Sequence, residues 1–213
     1  MSVAAVAIVN SLTPGAVVLQ RPWHALWWCI KNGTIPRFIL LIQAILSAFI
    51  FILQGGDMHS HVLLYIGNGT FAHTALGQSR LFNVSDLGPG YLETATILDP
   101  LFKWNNGATE AVKQTIGLHI NYVGFFATPI FRFLGDHRPV PFSLEEPGKD
   151  VAKKLSKLPV SIHNCTEYVL QCLRIALGID LAKEYKLAPH GIYPSDYLNM
   201  PKHFKQRGSN NNS

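Results

Sequence analysis

Charge is what this sequence has least of: Asp, Glu, Lys and Arg make up 15% of its 213 residues, against about a quarter in an ordinary soluble domain. Such a shortfall points to a heavily buried or membrane-facing portion. The net charge of +5 comes from scattered Lys and Arg, with no basic stripe interleaved with aromatics, which argues against nucleic acid as a partner. Cysteine is also scarce. Cys29, Cys165 and Cys172 do not make a disulfide framework, and free thiols fit a reducing compartment. The first twelve residues carry no basic start, so no cleavable signal is expected, and a cytoplasmic or membrane-associated location is. Without a secretion signal, the glycosylation-like triplets at Asn32, Asn68, Asn83 and Asn164 read as coincidence. No internal repeat is present. Apolar residues make up 48% of the chain, enough for a full core. The expectation is one domain over residues 1–204, with a polar, disordered tail at 205–213.

The chain does contain one long hydrophobic run. Residues 38–53 carry no charge and lie between Arg37 and the Gly55-Gly56 pair, preceded by Trp23, Trp27 and Trp28. As a helix this run would span roughly 24 Å at 1.5 Å per residue, short of the ~30 Å hydrocarbon core. Topology weighs against a crossing as well, because a single span between two strands of one sheet would put them on opposite sides of a membrane. The preferred reading of residues 22–56 is therefore an inserted hydrophobic helix that dips into a membrane surface, with tryptophans at the interface. A buried core or dimer helix and a true span are the alternatives.

Around this insertion the pattern alternates between strands and helices. Thr13-Pro14-Gly15 is a turn that leads into a β-branched strand at 16–20. Residues 57–75 read as strand, Gly-Asn-Gly turn, strand, which is a hairpin. Further strands are expected within 81–99 and a helix at 108–118. Residues 149–157 suggest a short basic helix stopped by Pro159. The strongest amphipathic helix outside the insertion runs from Cys165 to Leu177 and is closed by Gly178.

The chemistry-bearing residues lie on these elements. Cys165 opens a helix, where the dipole and the free amides favour thiolate. Cys172 lies nearly two turns further along the same helix and reads as an inert core residue. Cys29 carries no role beyond packing or membrane contact. Of the nine histidines, His61 enters a core strand, where burial demands a polar partner. His73 comes twelve residues later across the hairpin, where one ring can bond and orient the other. His59 and His61, at i and i+2, also permit a metal reading with His73 and Cys165, but that set would be irregular and has no close paired-ligand motif. No cofactor is expected.

These segments resemble a known family. His61-Val62-x-x-Tyr65-Ile66-Gly67-x-Gly69, His73 twelve residues on, and the late Asn164-Cys165-x-Glu167-Tyr168-Val169 are similar to the circularly permuted papain-like (NlpC-type) enzymes. Two branches come close, the YiiX-like amidases and the lecithin retinol acyltransferase-like group. Leu12-x-Pro14-Gly15 resembles their opening strand, Phe71-Ala72-His73 the segment of their third catalytic residue, and Pro194-Ser195-Asp196 the closing motif of the YiiX branch. The resemblance covers residues 12–20, 57–75 and 160–198. The chain departs from it at Ala16, where Asp is common, and at His73, where the YiiX branch usually has Glu and the acyltransferase branch has His. The insertion belongs to neither pattern.

The resemblance implies an α+β fold with an antiparallel sheet packed against a nucleophile-bearing helix. It also implies a cysteine-dependent hydrolase that cleaves an amide or ester acyl bond through a thioester, near a membrane. The alternatives are a lipid acyltransferase or phospholipase, or an inactive membrane-associated binding module. Cys165 would be the nucleophile, His61 the base and acid, and His73 the residue that orients His61. The Cys165 amide would be one oxyanion donor, with no second donor assigned. Glu167 and Tyr168 read as helix-terminal charge and core packing. A small-molecule, lipid or peptide acyl substrate is implied, with a membrane surface as partner through residues 38–53.

Overall fold

The computed structural model describes residues 3–21, 45, 48, 50–52, 57–75, 78–86, 91–118, 133, 164–188 and 191–208. Within them the chain is α+β. Helix α1 (Val3–Ser11) leads into β1 (Val17–Gln20), then β2 (His61–Gly67), β3 (Thr70–Ala75), β4 (Gln78–Asn83) and β5 (Thr96–Pro100). Helices α2 (Asn106–Lys113), α3 (Cys165–Leu177) and α4 (Leu181–Glu184) follow, and a last strand, β6 (Phe204–Gln206), closes the chain. The six strands form one antiparallel sheet in the order β4-β3-β2-β1-β5-β6.

Strand alternation divides the core in two. Val17, Leu19, Val62, Leu64, Ala72 and Leu98 pack with the buried side chains of α2 and α3. Their neighbours Val18, Leu63, Tyr65, Phe71 and Ile97 pack with Val9 of α1 and with Leu12. The central strands are buried on both faces, which is why β2 reads as an almost unbroken apolar run. The hairpin turn between β2 and β3 needs a left-handed backbone at Gly67 (φ 102°), Asn68 (φ 50°) and Gly69 (φ 68°), and the sequence supplies Gly-Asn-Gly there.

Helix α3 is fixed at both ends. The Asn164 side chain accepts a hydrogen bond from the Glu167 amide at 2.8 Å, and Gly178 closes the helix in the left-handed region. A third support comes from the segment that follows. Within the 3₁₀ turn Pro194–Asn199, the carboxylate of Asp196 accepts from the Tyr193 amide at 2.7 Å. The buried Tyr197 hydroxyl then donates to the Thr166 carbonyl at 3.1 Å, one residue past Cys165.

Two expectations change. The tail does not begin at Lys205: Phe204–Gln206 pair with β5, and Arg207 bridges Asp99 and Ser11. Helix α2 ends at Lys113 rather than near 118, because the Thr115 hydroxyl turns back to the Val112 carbonyl and Gly117 takes φ 89°. Residues 87–90 are not described, and between 81 and 99 the described strands are the end of β4 and most of β5. Most of the insertion at 22–56 and the helix expected at 149–157 lie outside the described residues, although Ile45, Ala48 and residues 50–52 are helical. Among the described residues, no helix is long and apolar enough to cross a membrane.

Candidate active site

The site is assembled by two adjacent strands and the first residue of a helix. His61 opens β2 and lies opposite Gln20, the last residue of β1. His73 lies on β3, one step along from the Leu64–Ala72 pair, so strand alternation puts it on the same face as His61. The two rings meet edge to face, with His61 Nε2 and His73 Nδ1 2.9 Å apart. Cys165 is the first helical residue of α3, half-buried, and its sulfur lies within electrostatic reach of His61 and the Val62 backbone. The thiol and the two imidazoles singled out in the sequence are thus in direct succession.

Electrostatics favour the charged thiol. Burial alone would push the Cys165 thiol up, but the facing charge of His61 and hydrogen bonds from His61, Val62 and Thr166 carry it below its ordinary value. Cys172 shows the contrast. Burial pushes it up to about 12 despite bonds from Tyr168 and Thr115, which leaves it inert. As the first helical residue, Cys165 has a backbone amide with no intrahelical acceptor.

His73 is held neutral. It is 6% exposed, and its ring packs at 84° against Phe82. Its Nε2 is sealed from solvent with no partner among the described residues. Burial, then the charges of His61 and Arg80, bring its pKa down from 6.5 to about 3. A neutral His73 accepts through Nδ1 from a protonated His61 Nε2, which leaves His61 Nδ1 as the nitrogen that takes the thiol proton.

This depression makes a prediction. Above pH 6.5, His73 is neutral whether the chain is folded or unfolded. Below it, the unfolded chain takes up a proton that the folded state refuses until about pH 3. Stability contributed by neutral His73 is therefore lost as pH falls through that window, at up to about 1.4 kcal/mol per pH unit. In urea melts between pH 7 and pH 4, the stability advantage of wild type over His73→Phe is expected to shrink steadily. A gap that stays constant would contradict the assignment.

His59 does not join the cluster. It precedes β2, where its Nδ1 meets Asp57 at 2.7 Å and its Nε2 meets Thr96 at 2.8 Å. The four-residue zinc set is therefore not assembled, and no other group of three or more metal-ligating side chains occurs among the described residues. Glu167 and Tyr168 are both buried, and the Tyr168 hydroxyl meets Thr115 at 2.9 Å, as core packing requires.

Two residues at the site gave no signal in the sequence. The Tyr91 hydroxyl donates to Gln20 Oε1 at 2.5 Å. Burial raises the Tyr91 phenol well above its ordinary value, and the Cys165 charge adds to the shift, so the phenol lies within electrostatic reach of the nucleophile. Gln20 is only 7% exposed. A glutamine ending a strand and a tyrosine 71 residues later carry no local pattern that links them.

Comparison with known protein families, curated proteins and solved structures finds no match to this chain.

Proposed function

We propose that the protein is a cysteine-dependent acyl hydrolase on a permuted papain-like scaffold, which cleaves an amide or ester through a thioester. The observation that carries this reading is the Cys165–His61–His73 succession, with a lowered thiol and a neutral third histidine. His61 takes the thiol proton and Cys165 Sγ bonds to the substrate carbonyl carbon. The π pair moves onto the carbonyl oxygen, where the Cys165 amide receives it. Collapse restores the carbonyl and expels the leaving group, which receives the proton from His61. Water, deprotonated by His61, then cleaves the thioester and releases the acid. His73 accepts from His61 throughout and fixes its ring plane. Being neutral, it supports the imidazolium less than a carboxylate would.

A second reading on the same scaffold is a lipid acyltransferase or phospholipase. It is favoured by the large exposure of Ile45 and Ile52, 59% and 71%, at helical positions of the apolar insertion, which suits a lipid surface. One experiment serves both. Incubation with p-nitrophenyl butyrate followed by intact and peptide mass spectrometry is expected to show a butyryl adduct on Cys165. Decay of that adduct in water identifies the hydrolase, and accelerated decay with excess ethanolamine or lysophospholipid vesicles identifies the transferase. An unacylated Cys165 with no turnover contradicts both and leaves a binding module.

A further inference from the structure

We infer that Arg80 binds a carboxylate carried by the leaving portion of the substrate. The inference rests on the acyl-transfer reading above and names the class of substrate. Arg80 stands directly across the β3–β4 ladder from His73, so the two side chains rise from one face of the sheet. Cys165, His61, His73 and Arg80 therefore follow one another across the site. The arginine is half-buried, and its guanidinium is held. With the amide oriented to satisfy both groups, Gln78 accepts from Arg80 Nη2 at 3.1 Å and from Nε at 3.3 Å. Gln78 pairs with Ala75, and continuing the Leu64–Ala72 register sets Ala75 opposite His61. The guanidinium is thus drawn along β4 toward the end of the sheet that holds His61.

What Arg80 lacks is an anion. The other half-buried arginines among the described residues are paired, Arg174 with Asp180 and Arg207 with Asp99. No described carboxylate lies within ion-pair distance of Arg80. Its charge faces His73 instead and helps to keep that ring neutral. A partly desolvated cation without a counter-charge is costly, and an anionic ligand removes that cost. The N–H groups that Gln78 leaves free, on Nη1 and the outer side of Nη2, match the two oxygens of a carboxylate. One cation balances one negative charge, so a carboxylate fits better than a phosphomonoester at about −1.5 to −2. The succession of groups sets which half of the substrate carries it. His61 gives its proton to the leaving group, which therefore departs on the His61 side of Cys165, and Arg80 lies further out in the same succession. The carboxylate belongs to the amine or alcohol that leaves, and its contact with Arg80 is an ion pair with no bond made or broken.

The test compares the butyryl ester of a carboxynitrophenol with the same ester after methylation of its carboxylate. Rates are divided by those of uncatalysed hydrolysis. The ratio of kcat/KM for acid over methyl ester is taken within each protein, so that any loss of folded protein cancels. Wild type is expected to prefer the acid on the order of tenfold, chiefly through KM. Arg80→Gln should bring the ratio to about one, and Arg80→Lys, which keeps the charge but not the fork, to a value between. A wild-type ratio near one, with Cys165-dependent hydrolysis of the methyl ester, would overturn the inference and leave the acyl-transfer reading intact. The same preference in wild type and Arg80→Gln would also overturn it, since another group would then hold the anion. A preference found only for mono-p-nitrophenyl glutarate over its methyl ester would put the carboxylate on the acyl chain and overturn the assignment. Absence of Cys165-dependent hydrolysis of every ester in wild type would overturn the two readings together.

Discussion

Replacing Cys165 with alanine is expected to abolish acyl-ester turnover, a fall on the order of 10⁴-fold or more, with thermal stability close to wild type. The two halves of this expectation have separate causes. Chemically, the variant has no atom that can form the thioester, and neither Cys172 nor any other described thiol can substitute. Cys172 is fully buried seven residues further along α3, and its thiol is pushed up to about 12. Structurally, Cys165 is the half-exposed first residue of α3, and alanine is a good helix former there. The cap at Asn164, the Tyr197–Thr166 bond and the core below are untouched. Cys172→Ala should show the converse, with turnover kept and some stability lost from the core. Residual turnover in Cys165→Ala within tenfold of wild type would place the chemistry elsewhere.

The second large effect is expected at His61. His61→Ala should lower turnover by roughly 10³–10⁴-fold, and here the substrate matters. The alanine variant keeps the thiol but loses the group that takes its proton and the charge that lowers it. It also strands His73, whose Nδ1 then has no donor and whose Nε2–H already has no acceptor among the described residues. Activated esters, whose leaving group needs no proton, should be the less affected, and amides should be the more affected. Added imidazole is expected to restore part of the ester activity by occupying the vacated space. Equal losses on ester and amide, with no rescue, would argue that His61 holds the fold together rather than moving protons.

The legible parts of this molecule were those in which a residue type and its position carried the same message. A thiol after Asn164 at a helix start and two histidines flanking a Gly-Asn-Gly turn are local patterns, and the antiparallel pairing of β2 and β3 brings the rings within 2.9 Å. Strand β1 and helix α3 were readable for the same reason, one bounded by Pro14-Gly15 and the other by Asn164 and Gly178. The rest depended on partners distant in sequence. Gln20 is a polar residue at a strand end until Tyr91 gives it an orientation. His59 looked like a companion of His61 until Asp57 and Thr96 took both its ring nitrogens. Strand β6 has only three residues, two of them polar, and exists because β5 and the Arg207–Asp99 pair hold it. No sequence window contains that information. The α+β class was legible through the resemblance, which implied an antiparallel sheet packed against a nucleophile-bearing helix.

The measurement that bears most directly on the central claim is the rate of iodoacetamide alkylation of each cysteine as a function of pH, read by peptide mass spectrometry in wild type and His61→Ala. The activated pair predicts that Cys165 in wild type is labelled rapidly near pH 6.5, ahead of Cys172. In His61→Ala its labelling should rise only as pH approaches the ordinary thiol range near 8.5. A Cys165 profile that is the same in both proteins, or labelling no faster than that of Cys172, would contradict the account.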